Sequence, residues 1–181
     1  MSFFILSIIY FLFPAAFANM LPVFVKNNFK YLDYPVDFYF KIGKNRLFGN
    51  NKTFRGFIFG IIASIIVVFF QNLLYNYKFF QSLSLIDYSR SNFLILGFLI
   101  GFGTLFGDLI GSFIKRRLNY KPGEKFYVLD QINSAIGILI FVLPFYFNSW
   151  SVALWIIIVW FIGHLITKYL GYLLKIDKEK I

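Results

Sequence analysis

Five stretches of the chain are long and apolar enough to cross a membrane, and they limit the fold before any single residue is weighed: Phe3 to Val25, Phe57 to Leu74, Phe93 to Ile114, Ile132 to Phe147 and Val152 to Leu174. A helix needs about 20 apolar residues to span a hydrocarbon core of roughly 30 Å. Lipid offers no partner to a backbone N–H or C=O, so only helices and closed barrels cross it, and these runs lack the period-two alternation of barrel strands. The fourth run is short and the fifth carries His164 and Lys168, yet the pattern still predicts an all-α, polytopic integral membrane protein with five transmembrane helices. No linker, repeat or shift of composition divides the sequence, which predicts one domain over residues 1–181. Composition agrees: 59% of residues are hydrophobic and 14% charged, against about 45–50% and 25% in an average soluble domain.

The first run has a rival reading as a signal peptide, with Ala16-Phe17-Ala18 as a small-x-small cleavage site. Met1-Ser2-Phe3 supplies no basic leader and the lysines follow the apolar run, so we read a retained helix. Pro14 and Pro22 predict that it is bent or broken.

The formal net charge is +10, and its placement says more than its size. Lys26, Lys30, Lys41, Lys44, Arg46, Lys52 and Arg55 follow the first run; Lys115, Arg116, Arg117, Lys121 and Lys125 follow the third; Lys168, Lys175, Lys178 and Lys180 close the chain. That puts 16 of the 18 Lys and Arg residues on one side of the membrane and leaves Lys78 and Arg90 on the other. The positive-inside rule then predicts a multi-pass protein of the cell membrane with its N-terminus outside and its C-terminus and basic face in the cytoplasm. Cations gathered along a membrane boundary suit the bilayer's anionic headgroups and phosphorylated substrates, and no nucleic-acid partner is expected.

The chain has no Cys and one His, which excludes disulfides, thiolate zinc sites and a cysteine nucleophile. Asp108 is the most telling residue. A carboxylate in an apolar helix costs about 2.5–3.5 kcal/mol on insertion scales unless a partner or a cation repays it. Helical spacing sets Asp108, Ser112 and Lys115 on one face, a polar stripe running to the cytoplasmic boundary. One reading pairs Asp108 with Lys115 or another cation of the loop. The other notes that Asp130 stands at the same boundary, across a short basic loop, so that both carboxylates can meet on one Mg²⁺ whose octahedron phosphate oxygens complete, with Asn133 adding an amide oxygen. The glycines at 97, 101, 103, 107 and 111 fall into GxxxG spacings that favour close helix packing. For Gly107 and Gly111, room for substrate beside Asp108 is an equal reading.

Asn45 to Gly56 combines Arg46, Lys52, Arg55 and the Thr53 hydroxyl with Gly49 and Gly56, which suits either an anion site or an anchor for lipid headgroups. Lys52-Thr53 invites comparison with a P-loop, but Arg46 and Asn51 stand where that motif needs glycine and no strand precedes them. His164 is read as an interhelical or interfacial residue rather than a catalytic one, and Trp150, Trp155 and Trp160 as interface or lipid-facing residues.

Three pieces now taken together resemble the CDP-archaeol synthase family, integral membrane cytidylyltransferases similar to CDP-diacylglycerol synthases. They are Tyr34-Pro35-Val36-Asp37 followed by Leu47 to Gly56, then Gly107 to Leu118, then Leu129-Asp130-Gln131. With Ala18-Asn19-Met20-Leu21-Pro22 the resemblance covers most of the chain. It implies transfer of CMP from CTP to an isoprenoid glyceryl phosphate, with Mg²⁺ as cofactor and release of pyrophosphate. Asp108 and Asp130 would be metal ligands, and Lys52, Arg55, Lys115 and Arg116 would hold phosphates. Thr53, Ser112, Arg117 and Gln131, within the same pieces, complete the candidate substrate-binding set. Asn133 stands where the family pattern has a further Asp, which removes a ligand for a second metal ion, and Lys44-Asn45-Arg46 replaces an acidic start to that loop.

The chemistry suits the residues. The attacking group would be a lipid phosphate oxygen, already ionised near neutral pH because its second pKa is about 6, so the scarcity of general bases is expected. Two other functions stay open on the residues alone: a phosphatidate cytidylyltransferase acting on acyl lipid, which has the same glyceryl phosphate head, and a small transporter or channel subunit with Asp108 and His164 on its path. The D-x-x-D-G-x-x-A-R pattern of CDP-alcohol phosphotransferases and the N-D-x-x-D motif of prenyltransferases are missing.

Overall fold

The computed structural model describes residues 2–124, 126–147 and 149–173; Lys125, Leu174, Lys175, Lys178 and Lys180, which entered the reading of spans and charge, lie outside them. In chain order the elements are α1 (Ser2–Phe24), a 3₁₀ turn at Lys30–Leu32, β1 (Lys41–Ile42), β2 (Asn45–Arg46), α2 (Phe54–Leu74), α3 (Lys78–Leu83), α4 (Phe93–Arg117), α5 (Leu129–Tyr146) and α6 (Trp150–Leu173). All except α3 among the α-helices are long and apolar enough to cross a membrane, which gives the five expected spans. β1 and β2 form a two-residue antiparallel pair in the loop between α1 and α2.

At the ends that border the basic loops, α2, α4 and α5 run past their apolar stretches. Hydropathy falls where polar residues begin, but backbone hydrogen bonding does not. α2 starts at Phe54, where the Thr53 hydroxyl accepts the Gly56 N–H at 3.3 Å. α4 runs on to Arg117 and α5 begins at Leu129, so Lys115, Arg116 and Asp130 all sit on helical turns. Each has the charge that its helix end favours, cations at the C-terminus of α4 and a carboxylate at the N-terminus of α5.

α4 is the central helix, packed between α2 and α5 and touching α1, while α6 rests on α5 and α1. The core joins Ile8 and Phe11 of α1, Val68 of α2, Leu96 and Ile100 of α4, Ile138 and Val142 of α5 and Ile156 of α6. The α4 glycines explain the close fit. Gly97 and Gly101 meet Ile65, Ile61 and Ser64 of α2, and Gly103 lies so near α5 that a Cβ there would stand 2.7 Å from the Gly137 carbonyl oxygen. Gly107 and Gly111 lie against Asn133, so the space beside them is filled by α5 rather than left for substrate.

Of the two expectations for α1, bent or broken, a break is excluded, since it continues as one helix through both Pro14 and Pro22. Pro14 supplies no N–H to the Tyr10 carbonyl one turn earlier. Gln71 of α2, 3% exposed, takes its place: its amide nitrogen donates to that carbonyl at 2.6 Å, and its amide oxygen accepts the Tyr88 hydroxyl at 2.9 Å. Neighbouring helices often satisfy proline-freed backbone in this way within membranes.

Candidate active site

A cavity of about 270 Å³ opens at the end of the bundle where the α1–α2 loop, the α4–α5 loop and the last turns of α6 meet. Its wall takes Phe48, Asn51 and Lys52 from the first loop, Asp108, Ser112, Lys115 and Arg116 from α4, and Pro122 and Gly123 from the second loop. Asp130 of α5 and His164 and Lys168 of α6 complete it.

The first loop is held in place by Asp37, whose side chain is fully buried. Its carboxylate accepts the backbone N–H groups of Phe48 at 3.2 Å, Gly49 at 3.3 Å and Tyr39 at 3.2 Å, and pairs with Arg46, which also lies over the Tyr39 ring. Burial alone would disfavour the charged form, but Arg46 and the Phe48 and Gly49 N–H groups outweigh it and hold the Asp37 carboxyl below the usual range. A bridge between Pro35 and Thr53 then ties the loop's ends, with Val36 N–H on the Lys52 carbonyl at 2.9 Å and Phe54 N–H on that of Tyr34 at 2.9 Å. The Asn45 amide donates to the Arg116 carbonyl at 2.9 Å and the Arg117 guanidinium to the Arg46 carbonyl at 2.8 Å, which docks the loop on α4.

The turn into α5 is equally specified. Val128 has φ +69°, a conformation rare for a β-branched residue. This lets the Asp130 carboxylate accept the Phe126 N–H at 2.9 Å and the Gln131 side chain accept the Val128 N–H at 3.1 Å. The strained turn sets the position of Asp130, a residue of the cavity wall, and strain of this kind clusters at functional sites.

The carboxylates are paired across the cavity. Lys52 donates to Asp108, and Lys115 donates to both oxygens of Asp130 at 2.8 and 2.9 Å. Of the partners that the sequence offered Asp108, Lys115 or another loop cation, Lys115 serves Asp130 and Lys52 of the first loop takes Asp108. Asn133 donates its amide N–H to the other Asp108 oxygen at 3.2 Å and turns its own oxygen to the Ser134 N–H, so it orients Asp108 rather than offering an oxygen beside it. Arg116 is 5% exposed, and its Nε and one terminal nitrogen are buried with no hydrogen-bond partner among the described residues. Buried guanidinium N–H groups without partners are costly, and here they belong to a residue of the cavity wall.

Of the residues singled out in the sequence, the structure brings Lys52, Asp108, Ser112, Lys115, Arg116 and Asp130 together. It does not bring Thr53, Arg55, Arg117, Gln131 or Asn133 to the wall. Thr53 caps α2. The Arg55 guanidinium is taken by Asp33 at 2.9 Å and the Asn28 carbonyl at 3.2 Å, and Arg117 by the first loop's carbonyls. Gln131 is occupied by the turn and Asn133 by Asp108. The wall adds His164, read from the sequence as interhelical or interfacial, and Lys168, read only as a cation of the basic face. Their signal was present: two ionisable residues at i and i+4 on an apolar helix, near the boundary that carries the other charges.

Among the described residues no three His, Cys, Asp or Glu side chains cluster as a metal site. Two carboxylates on one wall nonetheless offer the hard oxygens that suit Mg²⁺, provided that a substrate's phosphate oxygens and water fill the remaining positions.

A family described as CarS-like, CDP-archaeol synthase, matches residues 1–180. The CDP-archaeol synthase of Pyrococcus furiosus is 36% identical over 176 residues, covering 94% of this chain and 95% of the relative. That of Methanococcus maripaludis (strain C7) is 33% identical over 177 residues, covering 95% and 94%. Among solved structures, an intramembrane enzyme for archaeal membrane lipids biosynthesis superposes with a TM-score of 0.70 at 25% identity, over 88% of this chain and 90% of the other.

Proposed function

This chain belongs to the CarS-like CDP-archaeol synthase family, multi-pass membrane cytidylyltransferases that move CMP from CTP to an archaeol-type glyceryl phosphate in lipid biosynthesis, and from that premise we propose how its own residues carry the reaction. The observation that carries the assignment is the buried Arg116 guanidinium, whose unpartnered N–H groups belong to a wall residue beside two lysine–carboxylate pairs. A guanidinium fork matches phosphate oxygens bidentately. Arg116 and Lys52 hold the triphosphate, and Lys115 turns from Asp130 to the phosphates when CTP enters. Asp108 and Asp130 are the ligands for Mg²⁺, with Asn133 fixing the rotamer of Asp108. Mg²⁺ bound there supplies neutralisation of the phosphate oxygens and polarisation of the α-phosphorus. Ser112 lines the cavity, and its hydroxyl, which donates to the Asp108 carbonyl at 2.9 Å, turns to donate to a phosphate oxygen when substrate enters.

A lipid phosphate oxygen forms a bond to the α-phosphorus of CTP as the bond to the bridging β-phosphate oxygen breaks, and pyrophosphate leaves. No proton has to be removed from the attacking dianion. The residues therefore work by alignment and charge neutralisation, which supply most of the catalysis in phosphoryl-type transfers. The single domain spans the whole chain, its N-terminus lies outside and its cavity faces the cytoplasm, where CTP is available. The 16 to 2 asymmetry of Lys and Arg supports that orientation.

The test is purified protein in nanodiscs with labelled CTP, Mg²⁺ and a panel of archaeol-type and acyl glyceryl phosphates. We expect CDP-lipid and pyrophosphate in equal amounts, with the archaeol-type acceptor preferred. Asp108→Asn and Asp130→Asn should each lose at least about 100-fold in kcat, with a double variant scarcely worse than either, because the two act as a unit. Near-normal turnover of either variant at limiting Mg²⁺ would return that residue to a structural ion pair.

A further inference from the structure

We propose that Lys168, with His164 one turn before it on α6, forms the subsite for the acceptor's phosphate, apart from the cations that hold the triphosphate. The inference rests on the cytidylyl-transfer reading above and concerns which residues separate its two substrates. Four cations line the cavity: Lys52, Lys115, Arg116 and Lys168. Lys52 and Lys115 are engaged with Asp108 and Asp130, whereas Lys168 has no carboxylate within ion-pairing distance among the described residues. His164 adds a ring nitrogen, Nδ1, buried without a hydrogen-bond partner among those residues. The i, i+4 spacing puts both on one face of α6, and both reach the cavity wall.

Position separates these two from the other cations. Lys52 comes from the loop over the bundle's end, and Arg116 is buried beneath that loop on the central helix. α6 packs against α5 and α1, and Ile162, Ile166 and Leu170 on its outer side are about half exposed, at 49%, 55% and 50%. In a bilayer that surface meets lipid, so α6 is the partition between the cavity and the membrane. The two substrates arrive from different phases, the nucleotide from water and the acceptor along the membrane plane. In-line displacement also needs the attacking oxygen opposite the leaving pyrophosphate, hence cations on both sides of the α-phosphorus. Lys168 and His164 supply the membrane side: an ammonium for the phosphate dianion and a ring nitrogen to hydrogen-bond its oxygens or the adjoining glycerol ether.

The experiment measures initial rates in nanodiscs with CTP and the lipid phosphate varied separately. Lys168→Gln should raise KM for the lipid phosphate tenfold or more, with KM for CTP and the inhibition constant of pyrophosphate changed less than twofold; Lys168→Arg should recover most of the loss. Calorimetric binding of a non-hydrolysable CTP analogue to Lys168→Gln confirms that the variant is folded. A CTP KM or pyrophosphate constant that rises as much as the lipid KM would place Lys168 on the triphosphate and overturn the proposal, as would an unchanged lipid KM. Wild-type protein that transfers no CMP to any lipid phosphate would overturn the parent reading as well, which a selective failure at Lys168 does not.

Discussion

Lys52 and Arg55 stand in one motif, yet their surroundings give them different work. The family resemblance gave both to phosphate, while the residues alone left an anion site and a headgroup anchor open. In the structure Lys52 meets Asp108 at the cavity, while Arg55 turns to Asp33 and the Asn28 carbonyl and braces the first loop. Lys52→Gln should therefore lower kcat/KM by about 100-fold, the scale for removing one preorganised donor to a developing charge. Arg55→Gln should leave KM for CTP within twofold and instead cost about 1–3 kcal/mol of stability through lost charge-assisted hydrogen bonds. Kinetics and thermal unfolding of the two variants in detergent separate the roles, and a raised CTP KM in Arg55→Gln would restore it to the site. Asp108 and Asp130 were legible in the sequence because a carboxylate in an apolar setting has to be explained. The partners of Arg55, Asn28 and Asp33, were not legible because they lie in a loop whose path no periodicity reveals, and Lys168 was read only as a cation of the basic face because a lysine near a helix end is ordinarily a snorkelling anchor.

The spans were visible as apolar runs, but what the helices do for one another was only partly so. GxxxG spacing announced close packing on α4, and the structure divides those glycines between two neighbours, α2 and α5. Gly107 is the most exacting, because a methyl group there would press into the Asn133 backbone, on the residue that orients Asp108. Gly107→Ala should cost about 3 kcal/mol, the upper end of overpacking penalties, and lower kcat with it. Gly163→Ala, where nothing lies within 4 Å of the added carbon and alanine is the better helix former, should unfold at or slightly above the wild-type temperature. Thermal-shift assays on the two variants check this, and equal melting temperatures would show that α4 and α5 can separate at no cost. The continuity of α1 was not legible at all. Proline predicts a break from local chemistry, and at Pro14 the tertiary position of Gln71 beneath Tyr10 removes the reason for one.

For the molecule as a whole, hydropathy disclosed the five spans because lipid leaves so few solutions, whereas the loops that close the cavity follow from side-chain bonds such as those of Asp37 and had to be seen. The proposed orientation is checked by single cysteines at Lys44 and Gln81 treated with an impermeant maleimide on intact cells. Label at 81 and not at 44 is the expected result, and the opposite pattern would reverse the molecule in the membrane. The two lysine–carboxylate pairs reach further than either residue. At rest each carboxylate already has a counter-ion, so a bare divalent cation would strand two ammonium groups in a half-enclosed site, and a bare triphosphate would leave two carboxylates exposed to its charge. Arriving together they exchange partners with both pairs at once. The consequence is thermodynamic linkage in the proposed site: nucleotide and metal each raise the affinity for the other by the same factor, and the resting enzyme is a poor sink for free divalent ions.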